Sequence, residues 1–583
     1  VPATVVFDFP NVSVLSTHLS QYCEAEVKTT GVNFELASED VHDDKVALSI
    51  ENIVGELPAI AKYNHTALDA PGLISGDRWQ VDDETAPTAR FGGMLEEIEK
   101  FDASIFHITQ AEALHIDPQH RSLLKLALES VSQHLASFDM DNTSTGVAVG
   151  ISGNEYAQLS NASATVSPYT GLGGFMSVSC GRLSYTFGFG GMSFAVDTAC
   201  SSGLVATHLA AENIRNIGGK TKQMLCAAAK VTLLPSTTNM FVVSHMIASD
   251  GRCKTFDVAA AGYVRSEAAV TSFLQYLSNV DEREEYYCAI LAGSATNQDG
   301  RSSSLTAPNG PAQQRVIRSA LSHAHEEVSR LDFLEMHGTG TSLGDPIEVN
   351  AAAEVFGDSV NHTNSFSLAA AKSRTGHAEP ASGMIGLYSA ISTGSRSSLS
   401  QNMHLRQLNP HIQQIISRRR GLFGTPRQTP SIPLEASNTI RSGVSAFAFQ
   451  GTNVHVTLSS QPAISTFTRC ISLYNSAPFW VARRNHPMIE SALSHAFTES
   501  ASRIRFTARL DGSASIAHIL DHQVLGMQLF PAAGFLELVS AAFNESVESL
   551  QRSLSEFQHD LNLCAISIPS PFVLGNVAQT CFI

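Results

Sequence analysis

Asp197-Thr198-Ala199-Cys200-Ser201-Ser202-Gly203 is the stretch whose reading decides the fold. Before it runs Met192-Ser193-Phe194-Ala195-Val196, short, apolar and β-leaning; after it runs Leu204-Val205-Ala206-Thr207-His208-Leu209-Ala210-Ala211, whose composition favours helix. A strand handing over to a helix at this point sets Cys200 at a helix N-terminus. Backbone N–H groups and the positive end of the macrodipole would there stabilise a thiolate, the form of cysteine that attacks carbonyls. The plainer reading is an inert, small core residue.

Working outward, short apolar runs alternate with helical patterns from Lys45 to about Ser459. Val46 to Ile50, Thr145 to Gly150, Cys288 to Leu291, Phe333 to Met336 and Phe366 to Ala371 read as strands. Pro118 to Leu135, Leu204 to Ile214, Pro311 to His325 and Ile347 to Val355 read as helices. Such alternation predicts an α/β body with buried sheets.

Two histidines sit on glycine-rich strand ends, where backbone can approach a ligand closely. Glu335-Met336-His337-Gly338-Thr339-Gly340-Thr341 follows one apolar run, and Lys372-Ser373-Arg374-Thr375-Gly376-His377 follows another. In a chain with 22 histidines, any one of them is more often a structural hydrogen-bonding group. Ser445 to Val456 reads as a turn leading into an alternating strand, and its simplest reading is a hairpin.

Composition narrows the function classes. The 583 residues are 43% hydrophobic and 16% charged, enough for two or three domains with a large core. A formal charge of −17, with only Arg418-Arg419-Arg420 as a basic run, argues against nucleic acid as a partner. Nine cysteines with no regular spacing suggest neither a disulfide framework nor a zinc site, and a reducing, cytoplasmic compartment is expected. No charged leader and no apolar run of bilayer-spanning length is present, so no membrane partner is expected. A first residue of Val1 rather than Met reads as an internal piece of something longer.

Taken together, the motifs resemble the β-ketoacyl synthases. Cys200, His337 and His377 occur in that family's order, 137 and then 40 residues apart. The resemblance narrows to type I polyketide synthases through Asp250-Gly251-Arg252-Cys253-Lys254-Thr255-Phe256-Asp257, Asn297-Gln298-Asp299-Gly300-Arg301 and Leu305-Thr306-Ala307-Pro308-Asn309-Gly310. Asp117-Pro118-Gln119-His120-Arg121 and Gly181-Arg182-Leu183-Ser184-Tyr185 belong to the same pattern.

The resemblance implies a thiolase-like, five-layered αβαβα ketosynthase domain over 45–459, acting as a homodimer. Cys200 would accept an acyl chain from a carrier's phosphopantetheine thiol, and its N–H with that of Phe449 would form an oxyanion hole. His337 and His377 would polarise a malonyl-type thioester for loss of carbon dioxide, with Lys372 holding the histidine network. Thr339 and Thr341 would support the His337 loop, and Glu267 matches a buried structural glutamate. No cofactor or metal is implied in the ketosynthase itself.

The flanks carry resemblances of their own. Residues 1–23 are similar to the end of an acyl carrier domain whose attachment serine would lie outside this chain, and 24–44 read as an acidic linker. Residues 460–485 read as a post-ketosynthase linker. Residues 486–583 look like the start of a hot-dog dehydratase domain, with His522 in an H-x-x-x-G-x-x-x-x-P pattern as the expected base. Its second half is expected to be missing, so this portion is expected to be inactive alone. Acyl carrier domains are the expected partners, with a separate acyltransferase as a further one.

Three departures from the family are visible. Glu51-Asn52-Ile53-Val54-Gly55-Glu56-Leu57-Pro58 stands where the family carries a Gly-Met-x-Cys-Arg-Phe-Pro-like run; Ala448 and Gln450 replace usual glycines; and Arg265-Ser266-Glu267-Ala268 replaces Arg-Gly-Glu-Gly. The competing readings are a non-elongating acyl-transfer ketosynthase, a degenerate scaffold, and a fatty-acid synthase ketosynthase, the last disfavoured by the 297–301 run.

Overall fold

The computed structural model describes residues 47–479 apart from 58–68, 75–77, 80–89, 136–139, 163–166, 217–220, 278–286, 326–330, 358–365, 419–422, 426–438 and 461–476. Beyond them it describes the backbone of 491–498, 501–509, 523–524, 527–528 and 580–582. The carrier-like segment 1–23, the linker 24–44 and His522 lie outside the described residues.

Among the described residues, eleven strands form the principal sheet: β1 (Ala47–Glu56), β2 (Thr145–Ile151), β3 (Ser193–Val196), β4 (Gln223–Lys230), β5 (Ala268–Leu277), β6 (Ala289–Gln298), β7 (Phe333–Glu335), β8 (Phe366–Ala369), β9 (Phe423–Gly424), β10 (Ile440–Phe447) and β11 (Thr452–Ser460). Their spatial order is β9-β8-β7-β10-β11-β6-β1-β5-β4-β2-β3. This order contains one five-stranded arrangement twice. In the first half β3-β2-β4 are parallel and β4-β5-β1 antiparallel; in the second, β8-β7-β10 are parallel and β10-β11-β6 antiparallel. The halves meet where β1 pairs with β6 through Leu48 and Leu291.

Helices complete five layers. On the outer face of the first half lie α1 (Pro118–Leu135) and α2 (Met176–Phe187). Between the halves lie α3 (Ser202–Arg215) and α6 (Ser382–Arg396), both touching strands of each half. On the second half's outer face lie α4 (Gly310–His323) and α5 (Gly344–Phe356). The expected αβαβα layering is the observed one. Parallel strands covered on both sides explain why β2 and β4 are buried along their whole length.

The central helices approach unusually closely because both begin Ser-Gly, Ser202-Gly203 in α3 and Ser382-Gly383 in α6. A Cβ on Gly203 would stand 2.8 Å from the Pro380 carbonyl oxygen and from the Ala228 Cβ, and one on Gly383 would stand 2.8 Å from the Leu204 Cβ. On the strand side, a Cβ on Gly150 would lie 2.4 Å from the Gly203 backbone.

Two strand expectations need correction. The first strand does not stop near Ile50 but runs to Glu56, straight through the departure from the family pattern. Its polar residues misled because Asn52 is buried yet satisfied: its amide donates to the Ser130 carbonyl at 2.9 Å, and a bulge between Ile50 and Asn52 adjusts the register. Likewise β6 extends past Leu291 to Gln298, since Gly293 lies under the backbone of α4 and needs no apolar side chain. The 445–456 stretch is the expected hairpin, formed by β10 and β11.

Part of the post-ketosynthase segment is docked onto the first half. Ala477–Pro478 pairs with Lys100–Phe101, and the Phe479 ring joins the core beneath α1. Arg121, almost wholly buried, donates to the Phe479 carbonyl at 2.6 Å and to the Tyr156 hydroxyl at 3.0 Å.

Replacing Gly150 by alanine is expected to force α3 off β2 and to cost about 1–3 kcal/mol of stability. Urea unfolding would read this as a lowered midpoint; an unchanged midpoint would refute the close packing.

Candidate active site

The cavity of interest holds about 340 Å³ and lies at the C-terminal ends of the parallel strands of both halves, where α/β sheets offer binding crevices. Cys200, His337 and His377 all line it, together with Thr339, Thr341 and Phe449. Residues 137 and 177 positions from Cys200 thus share one space with it.

Cys200 occupies a 3-10 turn, Ala199–Ser201, between β3 and α3. Ala199 adopts φ +55°, a left-handed conformation costing about 1–3 kcal/mol for a non-glycine residue. The turn is braced locally: the Ala199 N–H donates to Asp197 Oδ1 at 3.0 Å, and the Thr198 N–H to Ser202 Oγ at 2.9 Å. The amides of Phe449 and of Cys200 itself act on the sulfur. The expected stabilised thiolate is nevertheless not found. Burial pushes the Cys200 thiol up to about 12, with nearby Glu379 adding to the shift and Lys372 and the two amides opposing it. Desolvation outweighs the helix N-terminus, so the resting group is a neutral thiol.

His337 follows β7 on a loop held from below by Glu348 of α5, whose carboxylate accepts from the His337 N–H at 2.6 Å and the Gly338 N–H at 2.9 Å. Asp345, one turn earlier, accepts from the Gly340 N–H at 3.1 Å and the Phe256 N–H at 2.8 Å. The 250–257 motif therefore clamps the His337 loop, aided by the Thr255 hydroxyl, which donates to the Gly338 carbonyl at 2.7 Å. Burial lowers the His337 pKa well below its ordinary value, and Lys372 and His377 act in the same direction.

His377 follows β8 and is almost fully buried. Its ring centroid lies 5.6 Å from that of His337, with the rings near perpendicular, and Tyr263 packs edge-on at 4.9 Å. Burial, then Lys372, pushes its pKa down to about 3. Each ring accepts a backbone N–H at Nδ1: Phe447 donates to His337 and Glu379 to His377, both at 3.3 Å. A neutral imidazole accepting at Nδ1 carries its proton at Nε2, so both rings keep an Nε2–H free of the backbone.

Lys372 is buried nearby; desolvation lowers its pKa, and the charges of Glu335 and Glu348 counter that. The Thr341 hydroxyl accepts from the N–H of Gly344, the first residue of α5, at 3.0 Å. Glu267 stands apart from the cavity. Its carboxylate pairs with Arg78 at 2.8 Å and accepts from the Leu95 and Thr232 N–H groups, both at 2.8 Å, which makes it a cross-tie.

Ala448 and Gln450 fit the loop without glycine's freedom, because the positive φ of this turn, +98°, falls on Gly451. The Gln450 side chain accepts from the Thr452 N–H at 3.0 Å and so stiffens the loop. Asn453 ties the loop to the 297–301 motif, donating to Asp299 Oδ1 at 2.7 Å and Asn297 Oδ1 at 3.1 Å. At the third departure, Ser266 is accommodated because Gly93 faces it; a Cβ there would stand 2.6 Å from the Ser266 hydroxyl. Glu335, Asp345, Glu348 and Glu379 were missed by sequence reasoning. Only the pair Asp345 and Glu348, one turn apart at the start of a helix beside the His337 loop, offered a signal.

Sequence profiles of known families match this layout. The β-ketoacyl synthase N-terminal domain matches residues 65–279, its C-terminal domain 288–406, and the polyketide synthase dehydratase domain 486–581. The chain belongs to the β-ketoacyl synthases. Among relatives, erythronolide synthase EryA2 of Saccharopolyspora erythraea is 35% identical over 478 residues, 79% of this chain and 13% of that protein. The spectinabilin polyketide synthase system protein NorA of Streptomyces orinoci is 35% identical over 468 residues, 78% of this chain and 24% of that protein. The chain spans a quarter or less of the length of the curated relatives it matches. Among solved structures, the oxazolomycin ketosynthase domain OzmH KS7 of Streptomyces albus JA3453 aligns with TM-score 0.64 at 29% identity, covering 73% of this chain and 76% of that one. The ketosynthase from module 6 of the bacillaene synthase of Bacillus subtilis 168 aligns with TM-score 0.63 at 27% identity, covering 71% and 72%. This is a polyketide-type ketosynthase, followed by a region that matches the polyketide synthase dehydratase domain.

Two measurements check the electrostatics. Alkylation of Cys200 by iodoacetamide, followed by intact mass, is expected to keep accelerating with pH beyond 9, since its thiolate forms only near pH 12. A plateau near pH 8 would contradict burial of the sulfur. The second concerns acid. Burial pushes His120, His377 and His455 down to about 3, so below about 6.5 the unfolded chain binds protons that the folded one refuses. Stability is therefore expected to fall as pH drops from about 6.5 toward 3. Exchanging His455 for glutamine should flatten that slope by up to about 1.4 kcal/mol per pH unit in urea titrations.

Proposed function

We propose that this ketosynthase forms a carbon–carbon bond by decarboxylative Claisen condensation, with Cys200, His337 and His377 as its catalytic residues. The single observation that carries this reading is the convergence of one thiol and two neutral, Nε2-protonated imidazoles on one cavity. Acyl transfer begins when Cys200 gives up its proton and its sulfur attacks a phosphopantetheine thioester; the pantetheine thiol leaves carrying a proton. The amides of Cys200 and Phe449 receive the developing oxyanion.

A malonyl-type thioester then binds with its carbonyl oxygen between the two imidazole N–H groups. Carbon dioxide departs, its bonding pair becomes an enolate held by those two donors, and the enolate carbon attacks the acyl-Cys200 carbonyl. The thiolate leaves and is reprotonated. Neutral donors suit this step, because an imidazolium would hand its proton to the enolate and waste it. Buried Lys372 contributes by keeping both rings uncharged.

Acyl carrier domains are the partners in this reading, with a second copy of the chain and a separate acyltransferase as further ones. Carbon dioxide release and bond formation distinguish it from a transfer-only ketosynthase. With acyl and malonyl carrier substrates, the wild-type protein is expected to gain the acyl mass at Cys200 and to release carbon dioxide. His337→Ala should keep acylation and lose decarboxylation by about 10²–10³-fold, the usual cost of one donor at a developing anion. Acylation without any wild-type carbon dioxide release would sink the condensing role.

A further inference from the structure

The turn that carries Cys200 occurs twice. In the second half Glu379 takes the place of Ala199: it has φ +44°, opens a 3-10 turn, Glu379–Ala381, and is followed by the Ser382-Gly383 start of α6. In both turns the left-handed residue donates its N–H to the side chain two positions earlier, Ala199 to Asp197 and Glu379 to His377. The difference lies in the side chain. Ala199 has none to anchor, whereas the Glu379 carboxylate is buried and gripped.

Arg265 Nε lies 2.6 Å from Glu379 Oε1, Arg265 Nη2 lies 3.3 Å from Oε2, and Lys230 Nζ lies 3.3 Å from Oε2. Glu155 balances the second positive charge, 3.4 Å from Lys230 and 3.5 Å from Arg265, and the Thr238 hydroxyl accepts from Arg265 Nη1 at 2.8 Å. Two cations and two carboxylates thus neutralise one another out of water, which a buried charge requires. The cluster also holds the backbone around the imidazole. The His377 N–H donates to the Val264 carbonyl at 2.8 Å, and the Ser266 N–H donates to the His377 carbonyl at 2.9 Å, on either side of Arg265.

We propose that the Arg265–Glu379–Lys230 cluster is a positioning device for His377: by locking Glu379 in its left-handed backbone, it keeps that residue's N–H on Nδ1 and the ring proton on Nε2, toward the cavity. The three are positioning residues, for none lines the cavity. A fork of two bonds from Arg265 restrains the carboxylate's rotation, and so the backbone to which it is attached, better than a single contact could. The inference rests on the role given to His377 above, since only a donor of a defined tautomer needs such restraint.

The test compares the whole chain with Glu379→Gln, which keeps the side-chain volume and removes the charge. Acylation of Cys200 is expected to stay at or above the wild-type rate, because the removed charge had opposed ionisation of the thiol, while carbon dioxide release from malonyl carrier falls about 100-fold, the scale of a lost donor. Nitrogen-15 spectra of histidine-labelled protein should show His377 as the Nε2–H tautomer in wild type and as a mixture in the variant. Equal loss of acylation and decarboxylation would make the cluster merely structural and overturn the proposal, as would a folded variant with wild-type decarboxylation. Should Glu379→Gln fail to fold, Arg265→Lys, which keeps the charge but not the fork, is read in the same way. An Nδ1–H tautomer in the unmodified protein overturns the proposal without any variant. Wild-type protein that releases no carbon dioxide would instead count against the condensing function, leaving the spectrum to judge the clamp.

Discussion

The crossing of α3 and α6 is the contact on which the rest of this molecule depends. Two helices share the central layer, and each presents a glycine where the other's backbone or first side chains arrive within about 3 Å of any added carbon. Absence of two side chains lets the two halves of the sheet share one pair of helices. Because Cys200 sits in the turn before α3 and the Glu379 turn runs into α6, the same crossing sets how far the thiol stands from the imidazoles. Packing at this centre is therefore also active-site geometry.

Burial then decides the chemistry of every group brought there. The thiol is held neutral, both imidazoles are held neutral, and the desolvated Lys372 reinforces the latter effect. A site that excludes water strengthens each remaining N–H donor at the moment charge develops. The cost falls on the thiol, whose ionisation has to await a partner that stabilises it. Carboxylates buried around the rim, Glu335, Asp345 and Glu348, direct their lone pairs at backbone N–H groups and so act as structural ties for the loops that carry His337 and Lys372.

Much of this was legible in the residues. Cys200 at a strand-to-helix turn and two histidines on glycine-rich strand ends were visible because tight turns that bring side chains into a shared cavity demand small residues beside them, and those leave a mark. The four helices read from periodicity, 118–135, 204–214, 311–325 and 347–355, lie within three residues of the observed ends, whereas α2 and the small-residue α6 went unread. Strand lengths were less visible: β1 buries Asn52, which is satisfied by Ser130, far along the chain, and no local pattern announces such a partner. The thiolate expectation failed for a related reason. A helix N-terminus can be read from order along the chain, whereas desolvation depends on everything packed around the sulfur. The internal duplication also escaped notice, since Ala199-Cys200-Ser201 and Glu379-Pro380-Ala381 share backbone shape and almost no side-chain chemistry.

That duplication places the cavity on the seam between two equivalent halves, with the thiol contributed by one and both imidazoles by the other. A molecule occupying the cavity touches both halves at once, so its binding energy adds to the adhesion between them. Occupancy would in this way act as a rivet, making the separate opening of either half rarer than in the empty protein. Occupancy and mechanical cohesion of the domain become two faces of one equilibrium.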